Sequence, residues 1–400
     1  MNREDLQQAV ILAGGRGTRL KPLTDTLPKP MIKFHGKPFL EYLIENIREQ
    51  GIRKVLLLLG YLPEVIQEYF GDGNSFGVQI EYSVTGVENR TGKRMKLAEK
   101  KMDSCFLLMY CDNYWPIRIK EMWNHFLETD TEAQISVYTN KDQYTKNNVR
   151  INNKGMVICY DSTRSRKDLH GVEIGYAIMK KKILDLIPDE NVSFERTVYA
   201  ALAETYKLSA YETDHKYYSV GSHERLSLTG SFLRRRPAII LDRDGVINEK
   251  PPKAEYVRKW DEFKWVPGAK ETIRLLRSAG YLIIVITNQA GIGRGIMTES
   301  DLSDIHRKMQ GELTESGCSI DAIYYCPHDW DDGCDCRKPK PGMLFQAQRD
   351  HNVDLTKTYF IGDDSRDEQA GHAAGCKTIL VSKERPLLNV VREEIPGVNN

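Results

Sequence analysis

The sequence predicts two different α/β domains in tandem, and three observations carry that expectation. Strand-sized apolar runs enriched in β-branched residues alternate with helical patterns along the chain, the signature of mostly parallel sheets. A length of 400 residues is more than one domain of about 100 to 200 residues needs. A basic stretch, 234–236, ends in Pro237 and a new buried-strand signature follows at once, so the domains are expected at 1–233 and 237–400. The halves share no internal repeat.

In the first half the strand candidates are 9–12, 54–59, 79–83, 105–109 and 134–138. Segments 39–49 and 117–128 between them carry apolar residues at helical spacing. After Val149 the pattern shifts to shorter, hairpin-like strands through 157–160 and 174–179. The second half restores the α/β rhythm. It reads as a strand at 238–241, a helix from about Gly268, a strand at 281–286, a long helix after Thr298, and strands at 358–361 and 378–381.

At 40% hydrophobic and 28% charged, the chain can bury a core, which excludes wholesale disorder. Fifty-seven basic against 56 acidic residues leave a net charge of +1, so no global field points to nucleic acid or a membrane surface. The longest apolar stretches, 55–59 and 281–286, are too short to span a bilayer, and the polar, acidic start 1–8 resembles no leader. Cys105, Cys111, Cys159 and Cys376 lie in or beside apolar runs, whereas Cys326, Cys334 and Cys336 crowd together. That pattern predicts reduced thiols and one metal cluster in a cytoplasmic protein. The expected partners are small molecules; the sequence is compatible with an oligomer without requiring one.

Directly after the first strand comes Leu12-Ala13-Gly14-Gly15-Arg16-Gly17-Thr18-Arg19-Leu20, followed by Pro28-Lys29-Pro30-Met31. Glycines let the backbone approach a polyphosphate and present amide hydrogens, while Arg16, Arg19 and Lys29 add charge-assisted donors. A glycine turn alone says little. The full string, with its Pro-Lys-Pro tail at a fixed distance, is specific.

This string resembles the signature of the sugar-1-phosphate nucleotidyltransferases, and the likeness runs through about residue 230. The resemblance implies a Rossmann-like N-terminal domain whose loop wraps a nucleoside triphosphate through Gly14, Gly15, Arg16, Gly17, Thr18, Arg19 and Lys29, with Arg19 and Lys29 catalytic. The matching stretch 107–113 ends a strand on Asp112, placed to hold Mg²⁺ on the phosphates. Thr91-Gly92-Lys93-Arg94 looks like the family's nucleobase and phosphate segment, which makes Thr91, Gly92 and Arg94 nucleotide contacts, and Glu173 matches an acidic position that contacts the sugar. Two positions depart from the family. Ser219 stands where relatives carry a second metal carboxylate, and a hydroxyl is a much weaker Mg²⁺ ligand. The segment 157–162 lacks the lysine that relatives place after the acidic residue, a role Lys167 could fill through a longer loop. The implied reaction is in-line attack of a sugar-1-phosphate oxygen on the α-phosphorus, with pyrophosphate leaving.

At the end of the strand 238–241 stands Asp242-Arg243-Asp244-Gly245-Val246-Ile247-Asn248. Two aspartates separated by one residue can divide the labour of phosphoryl transfer, one attacking phosphorus and the other protonating the leaving alkoxide. Downstream come Ile286-Thr287-Asn288-Gln289, Arg337-Lys338-Pro339-Lys340-Pro341-Gly342 and Ile361-Gly362-Asp363-Asp364-Ser365-Arg366-Asp367. In order, these resemble the four motifs of the haloacid-dehalogenase superfamily phosphatases over residues 237 to 383. The resemblance implies a C-terminal Rossmannoid domain with Asp242 as nucleophile, Asp244 as acid/base, Thr287 as a phosphate hydroxyl and Lys338 as phosphate clamp. It also implies Asn288 and Arg337 as substrate contacts, and Mg²⁺ held through Asp242, Asp244 and Asp363 with Asp364 or Asp367 in support.

Cys326-Pro327-His328 and Cys334-Asp335-Cys336 supply three thiolates and an imidazole, a donor set that suits a closed tetrahedral Zn²⁺ site pinning a loop. This zinc loop narrows the resemblance to the histidinol-phosphate and heptose-bisphosphate phosphatase branch. A heptose 1,7-bisphosphate 7-phosphatase would yield a sugar 1-phosphate that the first domain could activate, with GTP the expected co-substrate. Mannose 1-phosphate with GTP, a CTP-dependent transferase, and a phosphatase with a degenerate nucleotide-binding module stay open as alternatives.

Overall fold

The computed structural model describes residues 6–252 and 255–398; residues 1–5, the larger part of the polar start discussed above, lie outside the described residues. The chain divides into two compact units, Met1–Leu233 and Arg234–Asn400. No helix among the described residues is long and apolar enough to cross a membrane.

The first unit is built on a seven-stranded sheet in the order Leu208–Thr213, Ala133–Tyr138, Val172–Lys180, Cys105–Tyr110, Gln8–Ala13, Lys54–Leu59, Gln79–Val84. Alternate side chains of the strand Gln8–Ala13 enter different cores: Ala9, Ile11 and Ala13 pack with the helix Phe39–Glu49 on one face, and Val10 and Leu12 with Met95 and Phe106 on the other. Burial on both faces is why these strands read as unbroken apolar runs. Val172–Lys180 corrects the expectation of short hairpin strands after Val149. It is a nine-residue strand inside the sheet, antiparallel to both neighbours, while Val149–Ile151 and Val157–Tyr160 form the small hairpin. The charged residues Glu173 and Lys180 near the ends of Val172–Lys180, the former buried in the strand, shorten the apolar run that the sequence shows.

The second unit carries a five-stranded, all-parallel sheet ordered Ala322–Cys326, Leu282–Asn288, Ala238–Leu241, Tyr359–Gly362, Lys377–Leu380. The edge strand Ala322–Cys326 escapes the apolar pattern because most of it is only half-buried and rich in tyrosine. Helix Glu299–Glu315 starts where the sequence places it because Thr298 and Asp301 form a reciprocal capping box.

Both sheets reverse their build direction beside the first strand. In the first unit the chain adds Lys54–Leu59 and Gln79–Val84 on one side of Gln8–Ala13, then returns to lay Cys105–Tyr110 on the other. In the second it adds Leu282–Asn288 and Ala322–Cys326 beside Ala238–Leu241, then returns with Tyr359–Gly362. Each reversal opens a crevice at the carboxyl ends of two adjacent parallel strands, the place where open α/β sheets bind ligands. The glycine string and Asp112 follow the strands flanking the first crevice; Asp242 and Asp363 follow those flanking the second.

Candidate active sites

In the first crevice Lys29 Nζ lies 2.6 Å from Asp112 Oδ2. Burial opposes both charges, but each partner holds the other ionised, so the Asp112 carboxyl sits below its ordinary value and the Lys29 ammonium above. Asp112 Oδ2 is thus anionic and aimed at the loop. Gly15, Arg16, Thr18 and Arg19 are exposed there, with Gly17 at φ +64° turning the chain into the short helix Thr18–Leu20. Arg16 packs its guanidinium carbon 5.7 Å from the Tyr61 ring centroid.

The segment 91–94 does open a helix, Thr91–Ala98, but Arg94 corrects the expectation of a nucleotide contact. It is 3% exposed and donates to the carbonyls of Gly14, Leu59, Gly86 and Val87. A Cβ at Gly14 would fall 2.4 Å from its guanidinium carbon, so glycine is required for this approach. Arg94 therefore holds the loop from beneath. Thr91 likewise faces inward, donating to Glu195 Oε2 at 3.0 Å and accepting from Phe194 N–H, and the Gly92 N–H donates to the Val192 carbonyl.

Glu173 is buried on the central antiparallel strand, with Tyr110, Tyr160, Tyr199 and Glu195 in electrostatic reach. Burial, with Glu195 adding repulsion, pushes its carboxyl up to about 8, although the Gly175 N–H donates to it. Asp214, by contrast, is occupied by Lys141 and the Thr139 hydroxyl. Glu195 went unnoticed in the sequence because its signal is conformational: it begins a π-helical turn, Glu195–Tyr199, a geometry that concentrates at functional sites. A raised folded-state pKa means the folded protein holds a proton that the unfolded chain has lost between about pH 4.5 and 8. Stability from this group is present at low pH and is lost as pH rises through that window. Glu173→Gln should therefore flatten the fall in stability of the transferase unit between pH 5.5 and 8.5, by on the order of 3 kcal/mol in urea titrations. Identical pH slopes for the two proteins would contradict this.

In the second crevice Lys338, 3% exposed, bridges two carboxylates: Asp242 Oδ1 at 2.8 Å and Asp367 Oδ1 at 2.7 Å. Asn288 clamps the Lys338 main chain through two hydrogen bonds, 3.0 and 3.1 Å, so the structure gives it a positioning contact. Burial raises the Asp242 carboxyl. The two carboxylates outweigh burial on Lys338 and raise its ammonium. Carboxylate oxygens of Asp242, Asp363 and Asp367 gather within 4.8 Å of one another, and Asp363 Oδ1 is buried without a donor among the described residues. Such a set fits a hard divalent cation. Gly245, at φ +97°, makes room for it, since a Cβ there would lie 2.1 Å from Asp363 Oδ2.

Asp364 and Asp367, left as alternatives by the sequence, share one reciprocal capping box and differ in their remaining contacts. Asp364 caps helix Ser365–Ala374 and pairs with Arg366, whereas Asp367 turns one oxygen to the main chain and the other to Lys338. The Asp244 side chain is a correction: it stands outside the gathered carboxylates. Arg243, fully buried, holds it through three hydrogen bonds of 2.9–3.1 Å, joined by Asn248 and Gln289 at 2.9 and 2.8 Å. His306 accepts from Arg243 Nη1 at 3.2 Å; burial, then the arginine charge, lowers it to about 3, so it stays a neutral acceptor. Arg243 and His306 were not foreseen, because a buried arginine between two aspartates is indistinguishable in sequence from an exposed one. Thr287 accepts from Gln289 at 2.9 Å, and with Arg337 it lines a cavity of about 800 Å³ above these groups, large enough for a small-molecule ligand.

Beside that cavity Cys326, His328, Cys334 and Cys336 bring their ligand atoms within 4.8 Å of one another, with four of the pairs at 3.2–3.6 Å. Tetrahedral zinc with Zn–S of about 2.3 Å spaces its ligands by about 3.7 Å, so the donor set and spacing both fit the ion.

Residues 8–157 match the nucleotidyl transferase family and residues 335–386 the HAD-hydrolase-like family. The D-glycero-β-D-manno-heptose-1,7-bisphosphate 7-phosphatase of Pseudomonas aeruginosa is 43% identical over 146 residues, covering 36% of this chain and 81% of that protein. The Neisseria meningitidis protein of the same name is 41% identical over 160 residues, 40% of this chain and 84% of its own length. A Bacillus anthracis structure described as a glucose-1-phosphate thymidylyltransferase, 19% identical, superposes with a TM-score of 0.51 over 57% of this chain and 95% of its own; it shows the fold. The chain is an enzyme with a nucleotidyltransferase domain ahead of a phosphatase domain, and through the latter it belongs to the D-glycero-β-D-manno-heptose-1,7-bisphosphate 7-phosphatase family.

Proposed function

We propose that the chain performs two consecutive steps in making a nucleotide-activated heptose: removal of the 7-phosphate from D-glycero-D-manno-heptose 1,7-bisphosphate, then transfer of GMP from GTP to the resulting heptose 1-phosphate. The observation that carries the reading is the pairing itself. A phosphatase unit 43% identical to a heptose-bisphosphate phosphatase shares a chain with a glycine–arginine loop and Lys29–Asp112 pair suited to nucleotidyl transfer onto a sugar 1-phosphate. Tethering raises the local concentration of one product at the next site.

In the phosphatase unit Asp242 attacks phosphorus, the bond to the sugar oxygen breaks, and Asp244 protonates the departing alkoxide; water then cleaves the aspartyl phosphate as Asp244 takes its proton. Arg243 holds Asp244 ionised in the free protein, the form that accepts the water proton, and an arriving dianionic phosphate favours the protonated form needed first. Lys338 and the Thr287 hydroxyl hold phosphate oxygens, and Arg337 meets a distal group. Asp242, Asp363 and Asp367 would hold Mg²⁺, which supplies charge neutralisation to the transferring phosphoryl group. In the transferase unit the loop 14–18, Arg19 and Lys29 orient the triphosphate, with Asp112 the Mg²⁺ ligand and Glu173 a sugar contact. Zinc at the four-residue cluster has a structural role. The thiols of Cys105, Cys111, Cys159 and Cys318 support a reducing, cytoplasmic setting.

Pyrophosphate release from each nucleoside triphosphate with each sugar 1-phosphate tests the transfer step. The highest kcat/KM should belong to GTP with heptose 1-phosphate, and a clear preference for CTP or for mannose 1-phosphate would replace the assignment. For the cluster, purified protein should hold about one zinc per chain, and Cys334→Ser should lower that content and the phosphatase melting temperature before transferase activity changes. Wild-type protein free of zinc, or stoichiometric zinc in the variant, would remove zinc from this account.

A further inference from the structure

The transferase crevice departs from a two-carboxylate metal site in its side chains as well as its sequence. Tyr218–Ser219 pairs with Asn113–Tyr114, which sets Ser219 opposite Asn113 and next to Asp112, and the Val220 N–H donates to the Asp112 carbonyl. Ser219 is 3% exposed, and its hydroxyl accepts from Arg225 Nη1 at 3.2 Å. Arg225 stands in the first turn of helix His223–Leu233. Its guanidinium carbon lies 4.6 Å from the Tyr144 ring centroid and 5.9 Å from that of Tyr217, whose hydroxyl accepts at 3.4 Å. Asp112 is within its electrostatic reach. A Cβ at Gly221 would lie 3.7 Å from Ser219 Oγ and 3.9 Å from Arg19 Nη2, so Arg19 borders the same space. Lys29 pairs with Asp112, and the charges of Arg19 and Arg225 act on the same carboxylate. A hydroxyl capped by a guanidinium offers no anionic donor at the second ligand position, so the residues do not fit a two-carboxylate metal site there.

We propose that Arg225, seated over Ser219, contacts a phosphate oxygen of the substrates in place of the second metal-binding carboxylate, leaving Asp112 as the single carboxylate of the transferase site. This rests on the nucleotidyltransferase reading. The oxygen belongs either to the sugar 1-phosphate or to the α-phosphate of the triphosphate. In the step itself an oxygen lone pair of the sugar phosphate forms the new bond to the α-phosphorus, and the α–β bridging bond breaks with its electron pair leaving on pyrophosphate. Arg225 stays protonated and donates hydrogen bonds to the charge that builds up. Its flat faces, packed by tyrosine, keep the fork oriented before substrate arrives.

The full-length chain tests this through pyrophosphate release and calorimetric titration with GTP in Mg²⁺, with the urea unfolding transition of the first unit as the folding control. Arg225→Ala should lower transferase kcat/KM about 10²-fold, the usual cost of losing one oriented donor at a charged transition state. A raised KM for the sugar phosphate with GTP affinity unchanged assigns Arg225 to the acceptor; weakened GTP binding assigns it to the α-phosphate. Arg225→Lys should recover part of the loss, because it restores charge without the fork. Ser219→Asp should capture the guanidinium and slow transfer without lowering the Mg²⁺ concentration for half-maximal rate. If Arg225→Ala unfolds the unit, the lysine and Ser219→Asp variants decide. Wild-type kcat/KM in Arg225→Ala, or a faster Ser219→Asp protein with a lower Mg²⁺ requirement, would overturn the inference. Wild-type protein that releases no pyrophosphate with any pair would instead remove the transferase reading.

Discussion

Asp242→Asn should abolish phosphate release, by at least about 10⁴-fold, while transfer onto a supplied sugar 1-phosphate proceeds at the wild-type rate. The amide keeps the size of the side chain and its hydrogen bond from the Arg243 N–H, but it cannot form the phosphoryl-enzyme. Lys338 retains Asp367 at 2.7 Å, so its buried ammonium is still paired and the unit should stay folded. Phosphate release by single-turnover assay, beside pyrophosphate release from the same preparation, checks both halves of the expectation. Phosphatase turnover within tenfold of wild type would remove Asp242 as nucleophile. Loss of both activities in a folded variant would remove the independence of the two sites.

Asp112→Ala should do the converse, cutting transfer by about 10²- to 10³-fold and sparing the phosphatase. Two effects coincide in that variant. The cation site loses its carboxylate, and the Lys29 ammonium, 2.6 Å away, is left without its partner in a largely desolvated pocket, which costs on the order of 3 kcal/mol. Asp112→Asn separates them, since the amide still accepts from Lys29 while binding Mg²⁺ more weakly. Transfer should therefore fall in both variants, and the drop in urea midpoint should be larger in alanine than in asparagine. Full transferase activity in Asp112→Asn would take the metal away from this residue.

Legibility in the sequence followed burial and locality. Strands buried on both faces, Ala238–Leu241 and Lys54–Leu59 after its exposed first residue, are readable because each buried position is apolar. Val172–Lys180 looks like a short hairpin strand because its partners, Cys105–Tyr110 and Ala133–Tyr138, lie far away in sequence and the charged Glu173 and Lys180 trim its apolar run. The catalytic motifs stood out where chemistry sits at strand ends, as at Asp112, Asp242 and Asp363. Long-range assignments were not legible. Arg94 looks like a phosphate ligand until its four carbonyl partners are seen, and Arg225 looks like a solvated helix residue until Ser219, Tyr144 and Tyr217 are found around it. The choice between Asp364 and Asp367 needed side-chain geometry: both join the capping box of the helix, but only Asp367 turns its other oxygen to Lys338.

The central claim is that one chain makes a nucleotide sugar from a sugar bisphosphate, the first unit consuming what the second releases. Phosphorus NMR of the wild-type protein with D-glycero-D-manno-heptose 1,7-bisphosphate, GTP and Mg²⁺ tests it in one tube. The account predicts inorganic phosphate appearing first, then pyrophosphate and a nucleotide diphosphoheptose in equal amounts, with all three absent when Asp242→Asn replaces the wild type and only the last two restored by added heptose 1-phosphate. Pyrophosphate formed by Asp242→Asn directly from the bisphosphate, or phosphate without pyrophosphate from the wild type with every nucleoside triphosphate, would contradict it.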